Sequence, residues 1–234
     1  MIDIHSHILP GIDDGARTLD ESVELVRELA SYGVTTVFAT PHFVDETIYT
    51  SPKNANSKLV TKLRRRLKEE GINVKVVLGN EIYINPMIVE LVKAGEVSKM
   101  GRSKYLLVEL PMTGDFPNYE DIFLDLMQNG FKVILAHPER YDSFKKDFSL
   151  VRDLYDMGVL LQCNLGSISG KYGKNAKKLV TRLIKERMVF AFGSDIHHPS
   201  HTDYYGAGLK KLRKYYTETE VETVLVDNPG TIVA

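Results

Sequence analysis

The sequence predicts an α/β fold, a seven-stranded parallel (β/α) barrel. Three observations carry that prediction. The apolar runs are nearly continuous rather than alternating, as parallel strands buried on both faces are. Helical patterns separate the runs. Run after run leads to His, Asp or Glu, which places ligand-type side chains on one carboxyl rim. An open doubly wound sheet would instead gather its site at one switch point.

The elements follow in order. Met1-Ile2-Asp3-Ile4 is the first run and leads into His5-Ser6-His7 and Asp13-Asp14-Gly15. Thr18-Leu19-Asp20-Glu21 reads as a capping box. Leu19, Val23, Val26 and Ala30 follow at helical spacing, and Gly33 is the stop. The run from Val34 to Ala39 leads through Thr40-Pro41 to His42. Ser51-Pro52 offers a cap and a first-turn proline for a helix carrying Ala55, Leu59, Leu63 and Leu67, with Gly71 as its stop. Val74 to Leu78 leads to Glu81, and Pro86 opens a short helix ending at Gly95. Tyr105 to Val108 stops on Glu109, and Pro117 opens a helix ending at Gly130. Val133 to Ala136 stops on His137. A helix from Leu150 to Met157 stops at Gly158, and Val159 to Asn164 is a strand without a ligand. Asn175 to Glu186 is an amphipathic helix. Met188 to Phe192 leads through Gly193-Ser194 to Asp195-Ile196-His197. Leu209, Leu212 and Tyr216 mark a further helix, and Thr217-x-x-Glu220 caps the last.

The bulk numbers narrow the function. The 234 residues suit one domain with a large core, and no Pro/Ser-rich linker divides them. With 30 Lys+Arg against 31 Asp+Glu, the net charge of −1 gives no reason to expect a nucleic acid or an anionic membrane. The single cysteine, Cys163, excludes an internal disulfide framework and fits a reducing cytoplasm. The first residues lack a signal-peptide layout, and no run approaches the ~20 apolar residues of a membrane span. A soluble cytoplasmic protein is expected.

The rim residues are metal donors by type. They are His5, His7, Asp14, His42, Glu81, Glu109, His137, Asp195 and His197. Imidazole and carboxylate without thiolate suit Mn, Fe, Zn or Mg. Nine donors exceed the needs of one ion, so two or three divalent ions are expected. Paired ions about 3.5–4 Å apart generate a bridging hydroxide and clamp an in-line displacement. Any one strand-end histidine reads more often as a hydrogen-bonded structural residue. The joint pattern differs, because five of the 7 histidines sit at strand ends.

Three other chemistries find less support. A thiolate phosphatase needs an arginine six positions after its cysteine, and Ser169 stands there. No Gly-rich loop followed by Lys-Ser/Thr supports an NTPase. The basic runs Lys62 to Lys68 and Lys210 to Lys214 read as solvated helix faces, because their leucines keep helical spacing. Gly166 to Gly170 reads as a flexible turn after a strand. Phe43, Tyr49, Tyr83 and Tyr141 lie near rim positions, where they could flank an aromatic substrate or pack in the core.

Taken in order, Met1 to His7, Asp13-Asp14-Gly15, Pro41-His42, His137-Pro138-Glu139-Arg140 and Ser194 to His197 resemble the PHP (polymerase and histidinol phosphatase) superfamily. Within it the chain resembles the bacterial tyrosine-protein phosphatases of capsule and exopolysaccharide loci, the CpsB/YwqE type. The resemblance runs nearly end to end, including Asp227-Asn228-Pro229. It implies a PHP-like distorted TIM barrel, one domain over 1–234, and a trinuclear site usually loaded with manganese. Carried over residue by residue, it gives the metal roles to the nine donors and makes Arg140 the phosphate anchor. It also implies the substrate: phosphotyrosine on the tail of a bacterial tyrosine kinase that controls polysaccharide export. Relatives often carry a second arginine shortly after the last ligand histidine. Here His198-Pro199-Ser200-His201-Thr202 has no basic aliphatic residue, so either His198 or His201 binds substrate in its place or the phosphate is held more weakly. The alternatives are a small-molecule phosphatase of the histidinol-phosphate kind, a C–N hydrolase on a related metal barrel, and a non-enzymatic metal-binding regulator.

Overall fold

A computed structural model describes residues 1–44, 50–114 and 117–233. Every strand pairing in its sheets is parallel. One sheet has the order β1-β2-β4, with β1 (Ile2–Asp3), β2 (Thr36–Ala39) and β4 (Lys75–Leu78). The other has the order β3-β5-β6-β7-β8-β9. Its strands are β3 (His42–Phe43), β5 (Glu81–Tyr83), β6 (Tyr105–Glu109), β7 (Lys132–Ala136), β8 (Leu160–Asn164) and β9 (Val189–Gly193).

Among the described residues nine strands stand where seven were expected, because beyond two of the seven runs, after a break, a further short strand forms. Pro41 has no N–H to donate and separates β2 from β3. Gly79-Asn80 separates β4 from β5 at the same level. Backbone bonds still cross both breaks, from Gly79 N–H to the Ala39 carbonyl (2.8 Å) and from Glu81 N–H to the Pro41 carbonyl (3.2 Å). The chain past β1 also meets the chain past β9. Ser6 and Ile196 form a parallel bridge, and the His7 N–H reaches the Ile196 carbonyl at 3.0 Å.

Helices lie between the strands, most of them where the apolar spacing predicts. They are α1 (Leu19–Ser31), α2 (Lys53–Glu69), α3 (Ile88–Ala94), α4 (Tyr119–Gln128), α5 (Asp142–Lys146), α6 (Phe148–Met157), α7 (Leu165–Ser169), α8 (Gly173–Lys185), α9 (Thr202–Leu212), α10 (Glu218–Glu222) and α11 (Asn228–Val233). Strand side chains alternate between two cores. Val37, Val76, Leu106, Val108, Val133, Leu135 and Leu161 pack with the helices. Ile4, Phe38, Leu107, Ile134, Ala136 and Ala191 form an inner cluster, joined by Ile232 of α11. Burial on both faces explains why the runs are apolar without a break.

Three local expectations need correction. Thr18 does accept the Glu21 N–H (3.2 Å), but Glu21 receives the Arg17 N–H (2.8 Å), so the reciprocal half of the box is displaced by one residue. Ser51 does not cap α2; its hydroxyl donates to the His42 carbonyl at 2.7 Å and ties the helix entry to the strand end. Residues 166–170 are not a loose turn. They belong to α7, and Gly170 at φ 100° closes it in the left-handed conformation open to glycine.

Candidate metal centre

All nine rim donors come together past the carboxyl ends of the strands. His5 and His7 follow β1, His42 follows β2 and opens β3, Glu81 follows β4 and opens β5, and Glu109 ends β6. His137 follows β7, and Asp195 and His197 follow β9. Two of these sit in left-handed backbone that L-residues rarely adopt, His137 at φ 32° and Asp195 at φ 50°. Strain held at a converging donor cluster marks a functional constraint.

Glu81 is the hub. Its Oε2 lies 3.1 Å from His5 Nε2, 3.2 Å from His7 Nε2 and 3.1 Å from His42 Nδ1. Its Oε1 lies 2.8 Å from His137 Nε2. Yet among the described residues Glu81 Oε2 is buried with no hydrogen-bond partner, as are Asp195 Oδ1 and His137 Nδ1. Asp195 Oδ1 stands 3.6 Å from both His5 Nε2 and His7 Nε2. Buried polar atoms without partners are costly, and a ring of lone pairs facing one space suits cations. Three groups place one donor atom per residue within 4.8 Å of one another: His7, Asp14, His42 and His197; His5, His7 and Glu81; His42, Glu81 and Glu109. The residues present therefore fit divalent ions by chemistry as well as by proximity.

The electrostatics agree. Burial alone would depress His5, but Glu81 and Asp195 outweigh it and raise its pKa to about 10. Burial, then the Glu81 carboxylate, pushes Glu109 up to about 8. Burial and the nearby Arg140 charge lower His137 to about 4. Hydrogen bonds with His197 and His42 hold Asp14 well below the usual carboxylate range. Packed carboxylates and imidazoles that disturb one another in this way are the signature of an active centre.

A second layer holds the donors, and reading of the sequence missed most of it. Gln162 Oε1 accepts from His5 Nδ1 (2.8 Å), and Asp13 Oδ2 accepts from His7 Nδ1 (2.8 Å). Those bonds leave each Nε2 as the free donor atom. Asp195 Oδ2 accepts three donors: Arg140 Nη1 (2.7 Å), Asn164 Nδ2 (2.7 Å) and the Tyr172 hydroxyl (3.1 Å). Gln162 and Asn164 lie on β8, the strand that shows no ligand-type residue in sequence. Their polarity inside an otherwise apolar run was the available signal.

The Asp13–Gly15 loop docks tightly on His7. A Cβ on Gly15 would fall 2.1 Å from the His7 carbonyl oxygen. Gly15→Ala is therefore expected to destabilise the fold by roughly 2 kcal/mol through overpacking. It should also reduce metal content by displacing Asp13 and Asp14. Thermal melting with elemental analysis checks both, and an unchanged melt and occupancy would refute the docking.

Other sequence candidates divide. His198 is exposed, and its Nδ1 accepts the Ser200 N–H (3.2 Å) as the cap of the Pro199–His201 turn. His201 has a buried Nδ1 without a partner, and burial, then Lys171, lowers its pKa. Phe43 and Tyr141 are core residues at 1% and 0% exposure, so neither offers a face to a ligand. Tyr83 is half-buried at the rim, and Tyr49 lies outside the described residues. Cys163 is buried on β8, and burial followed by the Glu139 charge pushes its thiol well above the usual range. A thiol held protonated is a poor nucleophile. Cys163→Ser should accordingly keep most of whatever turnover the parent has. Loss of turnover with fold and metal content intact would overturn the non-thiol reading.

Comparison with known proteins agrees with this geometry. Residues 1–234 match the family described as capsular polysaccharide synthesis, CpsB/CapC. The chain is 33% identical over 225 residues to a putative tyrosine-protein phosphatase CapC of Staphylococcus aureus, covering 94% of this chain and 87% of that protein. It is 32% identical over 229 residues to the tyrosine-protein phosphatase YwqE of Bacillus subtilis, covering 97% and 89%. Among solved structures it superposes with a TM-score of 0.93 on one from work on YwqE of Bacillus subtilis and CpsB of Streptococcus pneumoniae, described as unique metal-dependent tyrosine phosphatases. The match has 30% identity and covers 100% of this chain and 94% of that one.

Proposed function

Because this chain belongs to the CpsB/CapC family of capsular polysaccharide synthesis, we propose that it is a metal-dependent protein-tyrosine phosphatase. Its substrate is a phosphotyrosine-bearing protein, the tail of a bacterial tyrosine kinase that controls capsule synthesis. That substrate would place the enzyme in the cytoplasm. Among the described residues no helix is long and apolar enough to cross a membrane. The parallel bridge between Ser6 and Ile196 supports a closed single-domain barrel over 1–234.

The observation that carries the reading is the hub at Glu81, whose Oε2 meets three imidazole nitrogens at 3.1, 3.2 and 3.1 Å without a hydrogen bond. His5, His7, Asp14, His42, Glu81, Glu109, His137, Asp195 and His197 would hold two or three divalent ions, with Mn favoured over Fe, Zn and Mg. Such ions supply Lewis acidity toward a phosphoryl group and activate water at neutral pH. The chain's own residues do the rest. Gln162 and Asp13 fix the His5 and His7 rings, while Asn164 and Tyr172 orient Asp195. Arg140 stands at the cluster edge, where its guanidinium stabilises charge growing on the equatorial oxygens.

Access favours a protein substrate over a small metabolite. The side chains of Glu81, His5 and His7 are 0% exposed, whereas those of Asp14, Arg140 and His197 are 53%, 24% and 20% exposed. The donors thus lie below an open lip, which a long tyrosyl arm reaches more easily than a seryl one. Pure protein loaded with Mn²⁺ should hydrolyse a phosphotyrosine peptide with higher kcat/KM than histidinol phosphate or a phosphoserine peptide. EDTA should abolish the activity and Mn²⁺ restore it. Preference for histidinol phosphate would place the chain with small-molecule phosphatases, and full activity without metal would remove the metal reading.

A further inference from the structure

We propose that Lys171 is the second cation that receives the substrate's phosphoryl group, alongside Arg140. The proposal rests on the phosphatase reading above and deepens it. A phosphotyrosine carries about 1.5 to 2 negative charges at neutral pH. Arg140 alone meets that charge incompletely, since its Nη1 is engaged by Asp195 Oδ2 at 2.7 Å. The stretch His198 to Thr202, past the last donor histidine, contains no lysine or arginine. Beside the ions, a second side-chain cation would come from elsewhere on the rim.

Lys171 reaches it from the turn that closes α7. Its N–H bonds the Gly166 carbonyl at 3.0 Å, and its aliphatic stem lies along Gly166, where a Cβ would fall 3.1 Å from Lys171 Cδ. The stem's course is therefore set by the absence of a side chain at 166. The head is placed by Tyr172. Lys171 Nζ lies 5.0 Å from the Tyr172 ring centroid, and Arg140 Cζ lies 4.5 Å from the same centroid. The Tyr172 hydroxyl donates in turn to Asp195 at 3.1 Å. One ring, tied to a metal donor, thus carries both cations at the edge of the cluster.

The plainer alternative is a lysine that merely drapes its stem over the surface with its head in water. Two observations weigh against it. Among the described residues no carboxylate forms an ion pair with Lys171, although it is half-buried. Burial, the largest influence, lowers its pKa, while Asp195 raises it and Arg140 lowers it. A desolvated, unpaired cation beside a guanidinium is costly unless an anion joins them. A phosphoryl oxygen is such an anion.

The test separates charge from packing. Lys171→Met keeps the stem and removes the charge, and Lys171→Arg restores it. With Mn²⁺-loaded protein, the measurements are kcat and KM for a phosphotyrosine peptide, the dissociation constant of inorganic phosphate, and metal content. Lys171→Met should raise KM and weaken phosphate binding by about tenfold, the scale of one charge-assisted bond. Metal content should stay unchanged, and Lys171→Arg should recover most of the affinity. Phosphate affinity equal to the parent's in Lys171→Met would overturn the proposal. If the parent hydrolyses no phosphotyrosine, the phosphatase reading fails, yet the phosphate titration still decides whether Lys171 binds the anion.

Discussion

Glu81→Gln is expected to strip the cluster and lower kcat/KM on the order of 10³-fold or more, about 4 kcal/mol of barrier. The substitution is nearly isosteric, so shape is conserved and charge is lost. Glu81 Oε2 is within 3.1 Å of His5 Nε2 and His42 Nδ1, and Oε1 is 2.8 Å from His137 Nε2, so one carboxylate serves four imidazoles with His7 included. An amide offers one acceptor and turns the other position into a donor. It cannot face the same cations. Glu81 and Asp195, against the opposing effect of burial, keep His5 protonated up to a pKa of about 10. A cation must expel that proton, so loading releases protons and weakens as pH falls. Titration of EDTA-treated protein with Mn²⁺ in lightly buffered solution measures the release. No proton release, or parental metal content in Glu81→Gln, would contradict the hub.

Arg140→Ala should cost roughly 10²-fold to 10³-fold in kcat/KM, the scale of one lost transition-state donor. Arg140→Lys should recover only part, because an ammonium cannot present two parallel donors to one phosphoryl face. The structure adds a second consequence. Arg140 is one of three donors to Asp195 Oδ2, with Asn164 and Tyr172 as the others. Asp195 should therefore keep its orientation when Arg140 is removed, and metal content at saturating Mn²⁺ should match the parent. An Arg140→Ala variant that works like the parent would reduce Arg140 to a structural partner of Asp195. A variant inactive only because it has lost metal would make it a positioning residue.

Much of this centre is legible in sequence because its parts are local. A residue that closes an apolar run must stand at the carboxyl end of a strand. That rule alone located His5, His42, Glu81, Glu109, His137 and Asp195, together with the parallel α/β class and most helix stops. Gly33, Gly95, Gly130 and Gly158 end helices where a left-handed residue is needed, and all have positive φ. Arg140 was legible only through the ordered motifs around it. The short strands past Pro41 and past Gly79-Asn80 were not, since two or three residues that begin on a His or a Glu make no apolar run.

The tertiary structure decided what depends on packing between distant segments. His5 and Gln162 are separated by 157 positions yet bonded at 2.8 Å, and no spacing rule reaches that far. Glu81 as the shared hub, Asp13 as the support of His7, the triple hold on Asp195 and the approach of Lys171 to Tyr172 are all of this kind. His198 is a substrate candidate by position, and the three-dimensional arrangement adds that its Nδ1 caps the Pro199–His201 turn. Hydrophobic periodicity follows from each residue's own burial and is written along the chain. Which oxygen faces which nitrogen at 3 Å follows from how all the strands pack at once.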